Sequence, residues 1–317
     1  MDLRIQEFDS SLEKEWDDFV VSAYNGCFMQ TRKFLNYHEE GRFEDRSLMF
    51  YKGGALVAVL PACVVDGTFY AHRGSTFGGF VFSKKFFKVG MIDAVIKAFD
   101  EYAGDFGEII LKQLPSLFSQ GSVDNLEYLL GANDYDKYEE LSFVINLKGG
   151  GDLLESFRPN TRSKVRQGAK EGLTCKFVDS EQEIAKFHDI LISNLEKHDA
   201  QAIHSKDELV DLAKRFDGIR FVHCMHGDDV VAASMIWDFG KVLHTQNISI
   251  DYRFAELRSA NFMVHFMIEE AVKDGFEYFS FGISTEDKGE KLNFDLAEFK
   301  EGFGAEGYLN RIFYKKK

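Results

Sequence analysis

The stretch Ile219–Thr245 reads IRFVHCMHGDDVVAASMIWDFGKVLHT. An apolar run ends at the polar turn His226-Gly227-Asp228-Asp229. A second run, Val230–Phe239, ends at Phe239-Gly240-Lys241, and a third run comes after it. Gly-containing polar turns between apolar runs are hairpin signals, so the stretch predicts a three-stranded antiparallel meander. Arg46–His72 reads RSLMFYKGGALVAVLPACVVDGTFYAH and has the same plan. It has a strand, the turn Lys52-Gly53-Gly54, a second strand Ala55–Val65, the turn Asp66-Gly67 and a third strand. The turn spacings of the two stretches agree to within one residue.

The segments after the two meanders also match. Val89–Tyr102 places Val89, Ile92, Val95, Ile96 and Phe99 on one helical face. Ala260–Lys273 is apolar nearly all round (Phe262, Met263, Val264, Phe266, Met267, Ile268, Val272), which predicts a helix buried between layers, stopped by Gly275. A strand then closes each unit, Glu108–Leu111 and Glu277–Phe281. The sequence therefore predicts an α+β fold built from a duplicated unit, each copy a mixed, mostly antiparallel sheet flanked by helices. Leu141–Leu147 reads as a strand and Lys148-Gly-Gly-Gly-Asp152 as a break, with Asp152 capping a short helix. The predicted domains are 1–149 and 150–317.

A length of 317 residues exceeds the roughly 250–300 at which single cores stop growing, in keeping with two domains. The 32 phenylalanines predict aromatic-rich cores. A net charge of −14 argues against DNA as a partner, because phosphate contacts need clustered Lys and Arg. The four cysteines are far apart in sequence, which reads as reduced thiols of a cytoplasmic protein. The N-terminal residues lack the apolar segment of a signal peptide, and no apolar run approaches the ~18–20 residues of a membrane span.

Phe157–Leu173, FRPNTRSKVRQGAKEGL, carries the most pointed chemistry. Asn160 or Thr161 can cap a helix running to about Glu171, with Gly172 as its stop. Arg162, Arg166 and Lys170 then share one face, and no carboxylate intervenes until Glu171. Such a row is either a solvated basic face or a site for the diphosphate of CoA, a nucleotide-sugar or a tRNA end.

This segment resembles one found in Fem-type aminoacyltransferases and their tandem GNAT acyltransferase relatives. So do Trp16 with Asn25-Gly-Cys-Phe-Met-Gln30, the strand end Phe279-Ser-Phe-Gly282, and Asn293–Gly304 (NFDLAEFKEGFG), which is similar to the family's terminal N-x-x-x-x-x-F-K-x-x-F-G signature. The resemblance spans Trp16 to Tyr308. It implies two GNAT-like domains around a shared cleft and transfer of an acyl or aminoacyl group to an amine or hydroxyl. The implied acceptor is an amino-sugar or surface-glycan precursor, the implied donor an acyl-CoA, with charged tRNA as the alternative. The resemblance assigns Lys300 to oxyanion stabilisation; the alternative is a surface lysine paired with Glu298 or Glu301. Within that architecture, Arg162, Arg166 and Arg258 are the expected contacts to the donor's phosphates, and Gln30, Lys33 and Arg73 the expected contacts to the acceptor.

Two departures stand out. His72–Phe80 keeps Arg73-Gly74 but has neither the proline nor the carboxylate that come next in Fem-type enzymes, and continues as Phe77-Gly78-Gly79. The loop Arg253–Asn261 lacks the glycines through which GNAT enzymes bring backbone amides to a pyrophosphate. A degenerate pair that binds a ligand without chemistry is the rival reading. For a general base, His244 and its first-half counterpart His72 are the candidates. His223 and His226 have no carboxylate partner nearby in sequence, and no metal site is expected.

Overall fold

In a computed structural model, residues 3–38, 41–150, 152–197 and 202–316 are described. The chain divides into two compact units, Met1–Glu140 with Asn310–Lys317, and Leu141–Leu309. Gly151 of the glycine break lies outside the described residues. Among the described residues, no helix is long and apolar enough to cross a membrane.

In the first unit, Leu48–Lys52 and Ala55–Leu60 pair antiparallel through a turn in which Gly53 and Gly54 take φ of 55° and 81°. Arg4–Glu7 and Val81–Phe82 extend this sheet. The expected second strand, Ala55–Val65, does not run through. It stops at Leu60, because Pro61 has no N–H to continue the ladder, and resumes as Cys63–Val65. That second piece forms a hairpin with Thr68–Tyr70, which lies parallel to Glu108–Lys112. One predicted strand thus serves two sheets.

Helix Val89–Tyr102 forms as the periodicity predicts and buries Ile92, Val95, Ile96 and Phe99. Val89 is an exception, at 58% exposed, because as the first helical residue it precedes the buried stripe. Phe99 packs 5.1 Å from Phe69 and 5.4 Å from Phe80, ring centre to ring centre.

In the second unit, Thr174–Val178, Ile219–His226, Asp229–Asp238 and Val242–Ile250 form consecutive antiparallel pairs. Val242–His244 then runs parallel to Tyr278–Ser280, and Tyr278–Ile283 pairs antiparallel with Ser142–Asn146. Alternation along a strand sends successive side chains to opposite faces. Val222 and Cys224 join the core of helix Ser259–Lys273, whereas Phe221 meets Phe187 of helix Glu181–Glu196 at 5.1 Å. Helix Ser259–Lys273 buries Met263, Val264, Met267 and Ile268, but Val272 is exposed, so its last turn leaves the core. Cys175 and Cys224, distant in sequence, face each other as register partners.

Two of the sequence motifs interlock in this unit. Helix Pro159–Lys170 begins two or three residues earlier than the expected Asn160 or Thr161 cap would start it. Arg158 is its N-cap and Pro159 takes the first turn, where a missing N–H costs nothing. The Arg158 amide donates to the Gly302 carbonyl at 2.9 Å. Phe157 meets Phe303 edge-on at 5.1 Å. Gly302, the C-cap of helix Phe294–Glu301, lies so close to Thr161 that a Cβ there would overlap Oγ1.

Gly302 has ordinary helical angles, so the clash alone excludes a side chain. Gly302→Ala should therefore lower stability by about 1–3 kcal/mol. Thr161→Ala in the same chain, which removes the clashing oxygen, should recover most of that loss in urea unfolding. Simple additivity of the two changes would refute the packing argument.

Candidate functional site

The parallel ladder between Val242–Ile250 and Tyr278–Ile283 is short. Its last pair is His244 with Ser280, although both strands continue. The register against Ser142–Asn146 shifts between Ser280 and Gly282, and Gly282 takes φ of 70°. The irregularity turns the carbonyls of Gly282 and Ile283 toward one point, and Lys300 fills it. Its Nζ donates to Gly282 O at 3.0 Å and to Ile283 O at 2.6 Å. The ammonium also lies 5.9 Å from the centre of the Phe143 ring.

Helix Phe294–Glu301 delivers this lysine. Asn293 caps it by accepting from the Leu296 amide at 3.1 Å. Lys300 is 3% exposed, and burial pulls it from 10.5 down to about 7. It is therefore not the surface lysine of the alternative reading, and Glu301 bonds Arg158 instead.

His244 lies beside it. A Cβ on Gly282 would come 3.2 Å from the ring's Cε1, a tight approach, and the φ of 70° independently favours glycine here. The ring's Nδ1 is 3.0 Å from Ser280 Oγ, and the Gln246 side chain hydrogen-bonds the ring as well. Burial, reinforced by the charge of Lys300, pushes His244 down to about 4. At neutral pH the ring is uncharged. The structure thus brings together Lys300 and His244, which lie far apart in sequence.

The phosphate candidates have a different setting. Arg162 and Arg166 share a face as expected, and with Pro159, Ser163, Gln167, Lys170 and Glu171 they line a depression of about 280 Å³. The expectation of a row without a carboxylate is corrected. Glu155, from the short helix Leu153–Ser156 capped by Asp152, bonds both Arg162 and Arg166. Arg258 is exposed and takes φ of 58° as the N-cap of helix Ser259–Lys273. The glycine-poor loop thus still reaches a left-handed conformation, with an arginine in it.

The remaining candidates belong to the first unit. Gln30 is fully buried and holds backbone, with Nε2 donating to Gly78 O at 2.9 Å and Oε1 accepting from Cys27 N at 2.9 Å. Lys33 and Arg73 are exposed, and Arg73 lies over the Tyr70 ring at 5.6 Å. His72 is buried with φ of 55°, and burial drives it to about 3. Among the described residues, no group of three or more His, Cys, Asp or Glu side chains could hold a metal. Sequence reasoning missed Glu155, Ser280 and the role of Gly282. Only the glycine after Phe279-Ser-Phe gave a signal.

Residues 155–300 match the family described as "Acetyltransferase (GNAT) domain", a span that ends on Lys300. Several solved structures share the fold across the whole length. FemX aligns with a TM-score of 0.71 and 14% identity, over 99% of this chain and 97% of that one. The C-terminal domain of a putative lysylphosphatidylglycerol synthetase from Agrobacterium fabrum aligns at 0.63 and 13%, over 98% and 93%. A tandem GNAT protein from the clavulanic acid biosynthesis pathway aligns at 0.58 and 11%, over 99% and 98%. A search of curated proteins by sequence finds no match.

The downward shift of Lys300 has a consequence for stability. Between about pH 7 and 10.5 the unfolded chain holds a proton on this lysine that the folded chain has lost. The contribution of Lys300 to stability is thus unfavourable below pH 7 and relaxes as pH rises. Compared with Lys300→Met, the wild type should gain up to a few kcal/mol across that range. A stability difference independent of pH would mean that the amine titrates normally.

Proposed function

We propose that this chain, whose residues 155–300 form an acetyltransferase (GNAT) domain within a Fem-like tandem GNAT fold, transfers an acyl group from an acyl-CoA to an amine or hydroxyl. The acceptor we favour is an amino-sugar or another precursor of a surface glycan. The observation that carries the reading is the buried Lys300 Nζ, held on the Gly282 and Ile283 carbonyls. Attack on a thioester converts its carbonyl oxygen to an oxyanion. A fixed cation in a site shielded from water lowers that barrier by roughly 3–4 kcal/mol. The tetrahedral intermediate then collapses: the acceptor's new C–N or C–O bond remains, the C–S bond breaks, and the sulfur leaves as the CoA thiol with the proton that the acceptor gives up. Arg162, Arg166 and Arg258 are assigned to the donor's phosphates, which would displace Glu155 from its two arginines. Lys33 and Arg73 are assigned to the acceptor.

The test couples binding to turnover. Acetyl-CoA, free CoA and nucleotide-sugars are screened by thermal shift, and CoA thiol release is then measured with candidate amines. Lys300→Ala should cut kcat by about a hundred- to a thousandfold without unfolding the protein. An ammonium acting on the oxyanion must be protonated, so kcat should fall as pH rises through about 7. A rate that rises there would assign proton removal to Lys300 instead. Binding without thiol release would favour a non-catalytic ligand-binding pair, and turnover requiring charged tRNA would replace the acyl-CoA donor. A fully active Lys300→Ala variant would end the assignment.

A further inference from the structure

Ser280 is 1% exposed, and its hydroxyl has two partners among the described residues. One is the Gly282 amide, at 3.4 Å from Oγ; an N–H can only donate, so the oxygen is an acceptor there. The other is Nδ1 of His244, at 3.0 Å. This hydrogen bond can run in either direction, and counting protons decides between them. If Nδ1 carried the proton and donated to Oγ, the hydroxyl's own proton would be buried without an acceptor. Such a group costs more than the bond it replaces is worth. If the hydroxyl donates to the lone pair of Nδ1, every group is satisfied: Gly282 N–H to Oγ, Oγ–H to Nδ1, and the ring's single proton on Nε2, in keeping with a Gln246 side chain whose hydrogen bond favours the protonated ring and so accepts from it.

We infer that Ser280 is a positioning residue that fixes His244 as its Nε2–H tautomer, so that the imidazole enters the site as a hydrogen-bond donor rather than a proton acceptor. The inference rests on the acyl-transfer reading for its place in a reaction, but not for the geometry itself. It reverses the role that the sequence suggested for His244. The arrangement hangs on one bulge. Gly282 supplies the amide that orients Ser280, the glycine surface that seats the imidazole, and the carbonyl that accepts from Lys300. Ser280, His244 and Lys300 are therefore set by the same two peptide units. A change at Ser280 reaches Lys300 through backbone that Ser280 holds, without Ser280 touching the ammonium.

The experiment reads the tautomer directly. The whole protein, labelled with ¹⁵N-histidine, is studied by long-range ¹H–¹⁵N correlation at pH 7, with His244→Gln identifying the relevant signals. The expected pattern is a protonated Nε2 and a bare Nδ1. In Ser280→Ala that pattern should collapse to a mixture of tautomers or invert, and Ser280→Thr, which keeps the hydroxyl, should retain it. A wild-type ring protonated on Nδ1, or on both nitrogens, overturns the inference, as does a Ser280→Ala spectrum identical to wild type. If Ser280→Ala does not fold, the wild-type spectrum alone decides. None of these readouts involves turnover, so a failed search for an acyl donor would leave the result standing. Once an acyl donor is found, Ser280→Ala should lower kcat roughly tenfold with KM little changed.

Discussion

An ammonium held almost entirely out of water on two backbone carbonyls sets the terms for the rest of the second unit. Such a charge is costly unless dipoles replace the lost hydration. The replacement here requires two consecutive carbonyls to point the same way, which a regular strand forbids because successive carbonyls alternate. The bulge between Ser280 and Gly282 and the left-handed turn of Gly282 break that alternation. The lysine must also arrive from a fixed direction. The Asn293 cap, the Arg158–Gly302 hydrogen bond and the contact of Phe157 with Phe303 anchor both ends of its short helix. Motifs at the two ends of the unit's sequence thus hold one side chain in place.

The same burial separates the two titratable groups at the site. Lys300 and His244 are both pushed downward, the first to about 7 and the second to about 4. Burial disfavours the charge on both groups, and at the imidazole the charge of Lys300 adds to it. The imidazole stays neutral at little cost because the Ser280 hydroxyl bonds the neutral ring, and the Gln246 hydrogen bond, which favours the charged form, is outweighed by burial. A pair of groups whose environments drive their protonation apart is a common property of catalytic sites.

Much of this was legible in the sequence, and the illegible parts share a cause. The meanders, their turns and the helices Val89–Tyr102 and Ser259–Lys273 arise from apolar period and from turn residues, which are local signals. Lys300 emerged through its motif and His244 through its place in a strand. The split of Ala55–Val65 was foreshadowed by Pro61, whose effect outweighed an otherwise continuous apolar run. Glu155, Ser280 and the facing Cys175 and Cys224 were not legible. Each acquires its meaning from a neighbour that the topology supplies: a bend between two helices, a bulge, an antiparallel register. No periodicity within a window of residues encodes such a partner.

The duplicated plan gives an internal control for what makes Lys300 distinctive. In the first unit the parallel pair Thr68–Tyr70 and Glu108–Lys112 carries a lysine of its own strand past the last paired residues, and burial lowers Lys112 as it lowers Lys300. The surroundings differ. The Glu140 carboxylate favours the charged form of Lys112, whose Nζ reaches the Ser75 carbonyl at 3.4 Å. A carboxylate in the neighbourhood offsets part of an ammonium's field on a third group. Lys300 is held by neutral dipoles, at shorter distances, so its positive charge remains uncancelled in a poorly screened place. A developing oxyanion would respond to that uncancelled charge. The difference between the two lysines therefore lies in what each one faces.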